Sequence, residues 1–405
     1  MNSERKRMGL AVMAAALGYF VDAYDLILYN IVRVQSLRGL GVPETELLGT
    51  GVDLLNAQLL GMLVGGVLWG VLGDWRGRRS VLFGSIFLYS AATLANGLIH
   101  TLPAYTLCRL FAGVGLAGEL GAGVTLVAEL LPKQTRGYGT MIVAAVGVTG
   151  VVTASLVAGT FTWQTAYLVG GGLGILLLLL RLGVSESGLF EKVRARAVSR
   201  GNIFALFARW AIFKKYLSVV LVALPIWVII GVLITFSPEL GKEMGLSPPP
   251  QAGRAVLWYY LGLTAGDLTT GYLSQRLASR KRVMAAFLAI TTLVGAAYFV
   301  FGGRSLGAYY VLCFALGWSS GYWAVFITMS AEQFGTNLRA TVATTAPNFV
   351  RGATVPVTLA FRQLGPQIGM RNAAVLLVAC SLLVGAAALR QLDETYGKDL
   401  DFVEE

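Results

Sequence analysis

Twelve stretches of about 20 mostly apolar residues follow one another along this chain. A bilayer core about 30 Å thick is crossed by a helix of about that length. The stretches run over residues 9–30, 52–72, 81–100, 104–131, 139–160 and 164–183, and then over 216–239, 255–276, 283–301, 306–331, 341–361 and 372–391. Residues of the AVILMFWYC set make up 56% of the sequence against 13% charged, far from the balance of a soluble domain. The expected fold is an all-α membrane protein of twelve transmembrane helices in two pseudo-symmetric six-helix bundles, with the lipid bilayer as its surroundings.

The net charge of +11 would suit a nucleic-acid partner if it formed one patch, but it does not. Basic residues collect in MNSERKR, at Arg76 to Arg79, at Lys133 and Arg136, from Lys192 to Lys215 and at Arg276 to Arg282, which is every second loop. Positive loops face the cytoplasm, so both termini and the long central loop are expected there, in a multi-pass protein of the inner or plasma membrane with no nucleic-acid partner. The first stretch holds Asp22 and Asp25 and reads as a helix rather than a signal peptide. Cys108, Cys313 and Cys380 are scattered through apolar spans, and His100 is the single histidine. A disulfide framework, a metal site and a histidine-based triad are therefore not expected, and no cofactor is, apart from protons as coupling ion.

The two halves of the chain share landmarks. GVLGDWRGRR from Gly70 returns as GYLSQRLASRKR from Gly271, with Gln275 in the place of Asp74. Glu129 and Arg136 in AELLPKQTRG return at one common interval as Glu332 and Arg339 in AEQFGTNLRA, and Glu186 in VSESG matches Glu394 in LDETYG. A duplicated unit with a basic, glycine-marked turn between membrane-length segments is the mark of a transporter built from two homologous bundles. The domains read as residues 1–184, a cytoplasmic linker with an amphipathic helix over 185–215, a second bundle over 216–391 and a tail over 392–405. Gly113, Gly115 and Gly118 spell GxGxxG. Inside an apolar run these glycines, with Gly121 and Gly123, point to close helix packing rather than to a dinucleotide site.

A charge at membrane depth costs at least ~2.5–3.5 kcal/mol, so each one calls for an explanation. The first helix has Asp22 and Asp25, the fourth Arg109 and Glu119, the eighth Asp267 and the eleventh Arg351. Counted from the outer ends, Asp25 and Arg109 fall within two turns of the periplasmic face, and Asp22 and Glu119 lie deeper. A buried acid beside a movable guanidinium can toggle its protonation. Asp25 is thus the expected proton carrier, with Arg109 as its switchable partner and Asp22 and Glu119 next in line. A static Asp25–Arg109 ion pair stapling two helices is the plainer alternative. Arg351 sits mid-helix, too far from either interface to snorkel, and needs an anion. That anion is either a protein carboxylate such as Asp267, or a substrate held with Asn348 and the aromatic stripe of Trp318, Tyr322 and Trp323.

On these motifs the chain resembles the major facilitator superfamily over essentially its whole length. GVLGDWRGRR resembles that superfamily's loop between helices 2 and 3. RLFAGVGLAGELGAGVTLVAELLPKQTRG is similar to the helix 4 signature of sugar porters and metabolite:proton symporters, and VSESGLF and LDETYGKDL to the acidic motifs after helices 6 and 12. DAYDL, Asp22 to Leu26, is close to the helix 1 pattern of proton symporters for phosphate and for aromatic or carboxylic acids. The resemblance implies that Gly70, Asp74, Arg78, Arg79, Glu129, Arg136 and Glu186 form a cytoplasmic gating network, with Glu332, Arg339 and Glu394 as a weaker counterpart. It also implies proton coupling through Asp25 and Arg109, and a transport role for Glu119.

The paired helix 7 glutamines of sugar porters and the helix 5 glycine-proline motif of drug antiporters are missing. The expected function is proton-coupled symport of a small polar metabolite, a carboxylate foremost, by a monomer working through alternating access. Drug or metabolite efflux, facilitated sugar or phosphate transport, and a sensor on the same scaffold are the alternatives. No nucleophile, metal cluster or histidine pair converges on the spans, so an enzyme is not expected.

Overall fold

A computed structural model describes residues 2–76, 78–118, 136–181, 205–397 and 404. Among these, every regular element is helical. The first half contains α1 (Asn2–Gly39), α2 (Leu47–Arg76), α3 (Arg78–Asn96), α4 (Leu102–Leu116), α5 (Arg136–Thr160) and α6 (Trp163–Arg181). The second contains α7 (Trp210–Val228), α8 (Ala252–Arg276), α9 (Arg280–Phe301), α10 (Leu306–Ser319), α11 (Trp323–Glu332), α12 (Thr336–Gly352), α13 (Val355–Ile368) and α14 (Met370–Gln391). The pairs α10/α11 and α12/α13 are each one span broken in two, so the described helices make up twelve spans. Six spans are apolar enough to cross a membrane on composition alone. The spans through α1, α8 and α12 hold the ionisable residues discussed below.

The internal duplication is visible in the packing. α2 crosses α4 where Gly61 lies on the Leu110 carbonyl and Gly113 on the Gln58 carbonyl. α8 crosses α10 in the same way, Gly262 on the Phe314 carbonyl and Gly317 on the Tyr259 carbonyl. A methyl group on any of the four would collide with the facing backbone, and small residues are what let membrane helices approach this closely. This is the packing role read from the GxGxxG segment, with Gly115 against Tyr89 of α3. Gly121 and Gly123 lie outside the described residues. Each half also carries a buried tyrosine pair joined hydroxyl to hydroxyl, Tyr105–Tyr167 at 2.7 Å and Tyr298–Tyr309 at 2.6 Å.

Several boundaries differ from the sequence reading. α1 continues to Gly39 rather than stopping near residue 30, because Arg33 in its extension has a partner in the second half. With that extension Asp25 lies about 20 Å from the end of the helix, near its middle and not within two turns of its end. Trp210 to Tyr216 of the expected linker helix are the opening turns of α7, and residues 185–204 lie outside the described set. Gly70 and Gly271 sit within the last turns of α2 and α8, both facing open space, so the glycine precedes the turn. α7 contains Pro225 and passes into a π-helical stretch, Ile229–Ile234, closed where the Thr235 hydroxyl donates to the Ile230 carbonyl at 2.8 Å.

Gly113→Leu is expected to destabilise the protein by about 3 kcal/mol or more, since neither backbone at the crossing can retreat without parting the helices. Gly159→Ala, which meets nothing within 4 Å, is expected to stay within about 0.5 kcal/mol. Thermal melting of both variants in detergent checks the pair.

Candidate functional site

One polar cluster lies inside the first half. The Asp25 carboxylate is fully buried and its Oδ2 accepts from the Thr93 hydroxyl on α3 at 2.7 Å. Arg109, also fully buried, donates from Nη2 to Gln58 Oε1 on α2, and its guanidinium lies 5.2 Å from the Tyr29 ring and 5.7 Å from the Tyr167 ring. Asp25 and Arg109 are within electrostatic reach of each other, but neither donates to or accepts from the other. Asp25 Oδ1 and Arg109 Nε and Nη1 have no hydrogen-bond partner among the described residues. The two charges thus meet through space, each held by a neutral side chain, and the direct staple is not formed. Gln58 and Thr93 escaped the sequence reading because neutral residues in a span carry no signal of cost.

A second cluster lies where the halves meet. α12 packs against α2, with Asn348 beside Gly66 and Gly352 beside Leu63, and Asn348 Nδ2 donates to the Ala117 carbonyl at 3.0 Å. Arg351, one turn further on, is 3% exposed; its Nη1 donates to Asn348 Oδ1 at 3.2 Å and its guanidinium lies 4.9 Å from the Trp227 ring and 5.9 Å from the Trp323 ring. Asp22 and Tyr19 of α1 and Tyr260 of α8 are within its electrostatic reach. Arg351 Nε and Trp227 Nε1 are buried donors with no partner among the described residues. Such groups are costly unless something receives them.

Of the residues expected around Arg351, the structure brings Asn348 and Trp323 to it. It does not bring Trp318, which packs on Phe287 and donates to Thr269 Oγ1 at 3.3 Å, nor Tyr322, whose buried hydroxyl donates to the Val222 carbonyl at 3.2 Å. The stripe is divided because the span breaks between α10 and α11, which turns Trp318 and Trp323 to different neighbours. Asp267 is not bonded to Arg351 either; its Oδ1 accepts from the Ala324 amide at 2.9 Å. Trp227, Tyr19 and Tyr260 are the contributors that sequence reasoning missed, since single aromatics in apolar helices look like packing.

The halves are also joined at the ends of the helices remote from the termini. Arg33, with no exposed side-chain surface, donates from Nη2 to both oxygens of Glu239 at 2.6 and 2.7 Å and lies 4.4 Å from the Phe236 ring. Arg362 on α13 pairs with Asp53 on α2, and the Thr358 hydroxyl donates to Asn56 Oδ1 at 2.5 Å. At the opposite end, the loop before α9 gathers the second-half acids. Arg280 pairs with Glu332 at 2.7 Å, while Glu394 accepts from the Ser279 hydroxyl and from the Arg280 and Lys281 amides at 3.0 and 3.2 Å. Arg280, in the basic run, is thus the partner that Glu332 takes. The side chains of Asp74, Arg78, Arg79 and Arg136, and all of Glu119, Glu129 and Glu186, lie outside the described residues.

Partial burial alone would raise the Glu394 carboxyl, but the bonds from Ser279 and from the Tyr396, Arg280 and Lys281 amides outweigh it and hold it below its ordinary range. A lowered carboxyl contributes stability above its unfolded pKa and loses it as pH falls through the folded value. Glu394→Gln is therefore expected to lower the melting temperature at pH 7. The deficit against wild type should vanish in thermal scans below the ordinary carboxylate range.

The sequence profile of the Major Facilitator Superfamily matches residues 15–370. The chain is 26% identical to the 3-(3-hydroxy-phenyl)propionate transporter of Escherichia coli over 72% of each protein, and 24% identical to the niacin transporter NiaP of Acinetobacter baylyi over 96% of this chain and 94% of that one. The structure matches that of the proton:xylose symporter XylE bound to 6-bromo-6-deoxy-D-glucose with a TM-score of 0.71 at 17% identity, covering 98% of both chains. Twelve spans in two related sixes, a polar junction between them and a profile match over most of the length lead to one conclusion: the chain belongs to the Major Facilitator Superfamily.

Proposed function

We propose that this protein is a proton-coupled symporter that imports a small organic carboxylate, with an aromatic or conjugated body, across the inner or plasma membrane by alternating access. The observation that carries the reading is Arg351, a buried cation at the junction of the halves whose Nε, like the neighbouring Trp227 Nε1, has no protein acceptor among the described residues. A carboxylate supplies the acceptors, and the Trp227 and Trp323 rings beside the guanidinium suit a flat substrate. Relatives that carry niacin and 3-(3-hydroxy-phenyl)propionate, both aromatic carboxylic acids, support that class.

Coupling follows from the two acids one turn apart on α1. Asp25 carries the proton, and Arg109, held by the neutral Gln58 and by ring faces, is free to approach it or withdraw as the helices shift. Asp22 lies within electrostatic reach of Arg351 and competes with the substrate for it; a proton on Asp22 leaves the guanidinium to the carboxylate. The ion pairs at the ends remote from the termini, Arg33–Glu239 and Asp53–Arg362, act as the outer gate, closed in this conformation. The Arg280–Glu332 and Glu394 contacts belong to the cytoplasmic gate.

Uptake into proteoliposomes, with nicotinate and 3-(3-hydroxyphenyl)propionate as probes, tests this. Accumulation should require an inward proton gradient, and uptake indifferent to the gradient would leave only facilitated diffusion. Asp25→Asn should abolish accumulation while sparing exchange; equal loss of both would favour a purely structural Asp25. Arg351→Gln should raise KM about 10- to 100-fold, the loss of one charge-assisted hydrogen-bond set of about 1.5–3 kcal/mol.

A further inference from the structure

Asp267 is an expensive residue that the coupling scheme leaves unused. It lies on α8 beside the break between α10 and α11, where the chain gives up helical hydrogen bonds inside a membrane span. Backbone groups freed at such a break must be satisfied by neighbouring helices. α8 does so on both sides of it: Thr270 Oγ1 donates to the Gly321 carbonyl at 2.6 Å, and Asp267 Oδ1 accepts from the Ala324 amide in the first turn of α11 at 2.9 Å. Gly266 and Gly321 let the two backbones approach closely enough for these bonds.

A serine, threonine or asparagine would cap the helix at less cost in this environment. What aspartate adds is charge. Its bonds to amides are about twice as strong as neutral ones, and a carboxylate is favoured at a helix N-terminus. The first residue of the capped helix is Trp323, whose ring lies 5.9 Å from Arg351 and 6.2 Å, edge to face, from Trp227. No cation is bonded to Asp267 among the described residues, and the titratable groups within its electrostatic reach are Tyr19 of α1 and Tyr259 on its own helix.

We propose that Asp267 is a positioning residue whose negative charge holds the Trp323 wall against Arg351, so that taking up a proton there loosens the start of α11 and the aromatic side of the site. The inference rests on the reading of the Arg351 centre as the anion site. It adds a second protonatable group, in the half of the protein opposite to Asp25, that changes the shape of the site rather than its charge balance.

Hydrogen–deuterium exchange of the full-length protein in detergent, followed in peptides covering residues 321–332 and corrected for intrinsic rates, tests the proposal without a ligand. In wild type, exchange of this segment should accelerate about fivefold between pH 8.5 and pH 5. Asp267→Asn and Asp267→Ser, both neutral caps, should show the fast rate at every pH while other helices keep wild-type protection. A wild-type segment indifferent to pH overturns the proposal, whether or not the variants fold, and so do neutral variants that protect the segment as wild type does. The anion-site reading fails separately, if Arg351→Gln leaves uptake KM unchanged while the exchange result holds.

Discussion

A guanidinium cannot rest in hydrocarbon without neighbours that receive it, and three buried arginines set how these helices meet. Arg33 meets a carboxylate, a carbonyl and a ring face of the other half, its hydrogen bonds all running from Nη2 while Nε and Nη1 have no partner among the described residues. Arg109 is received by a neutral amide and two tyrosine rings within its own half. Arg351 has one amide oxygen and two tryptophan faces at the junction, and part of its hydrogen-bonding capacity is left over. All three keep nitrogens unpartnered among the described residues, so what separates them is the kind of partner. A carboxylate across the halves suits a latch, a neutral amide suits a switch, and two indole faces at the junction suit the proposed role of receiving a flat anion.

The duplicated architecture supplies the frame, and departures from the duplication supply the chemistry. The glycine crossings of α2 on α4 and α8 on α10, and the paired tyrosine hydroxyls, repeat because they pack and brace helices, a task that is the same in both halves. Asp25 with Arg109 lies in one half and Arg351 in the other. On the proposed function, a proton and an organic anion need different partners, so two symmetric sites would serve neither. The break between α10 and α11 belongs with this asymmetry, since it turns Trp323 toward Arg351 while Trp318 packs on Phe287.

Much of this protein was legible in its sequence because lipid imposes a blunt rule. An apolar run of about 20 residues is a helix, a basic loop has a side, and a charge inside a run has a reason. That logic suffices for the spans, for the pairing of the halves, for the packing role of Gly113 and Gly115, and for singling out Asp25, Arg109 and Arg351 as charges inside the spans, where the structure buries them. Only the tertiary structure decided which groups meet. It extended α1 to carry Arg33 to Glu239, gave Asp25 to Thr93 and Arg109 to Gln58, and turned Asp267 from a counter-ion for Arg351 into the cap of a broken helix. The reason is physical. The cost of burying a charge is a property of one residue and its place in an apolar run, whereas the partner that meets that cost is chosen by the rotation and crossing of helices far apart in sequence. Neutral amides, hydroxyls and ring faces can serve as that partner without leaving any mark in the hydropathy of the chain.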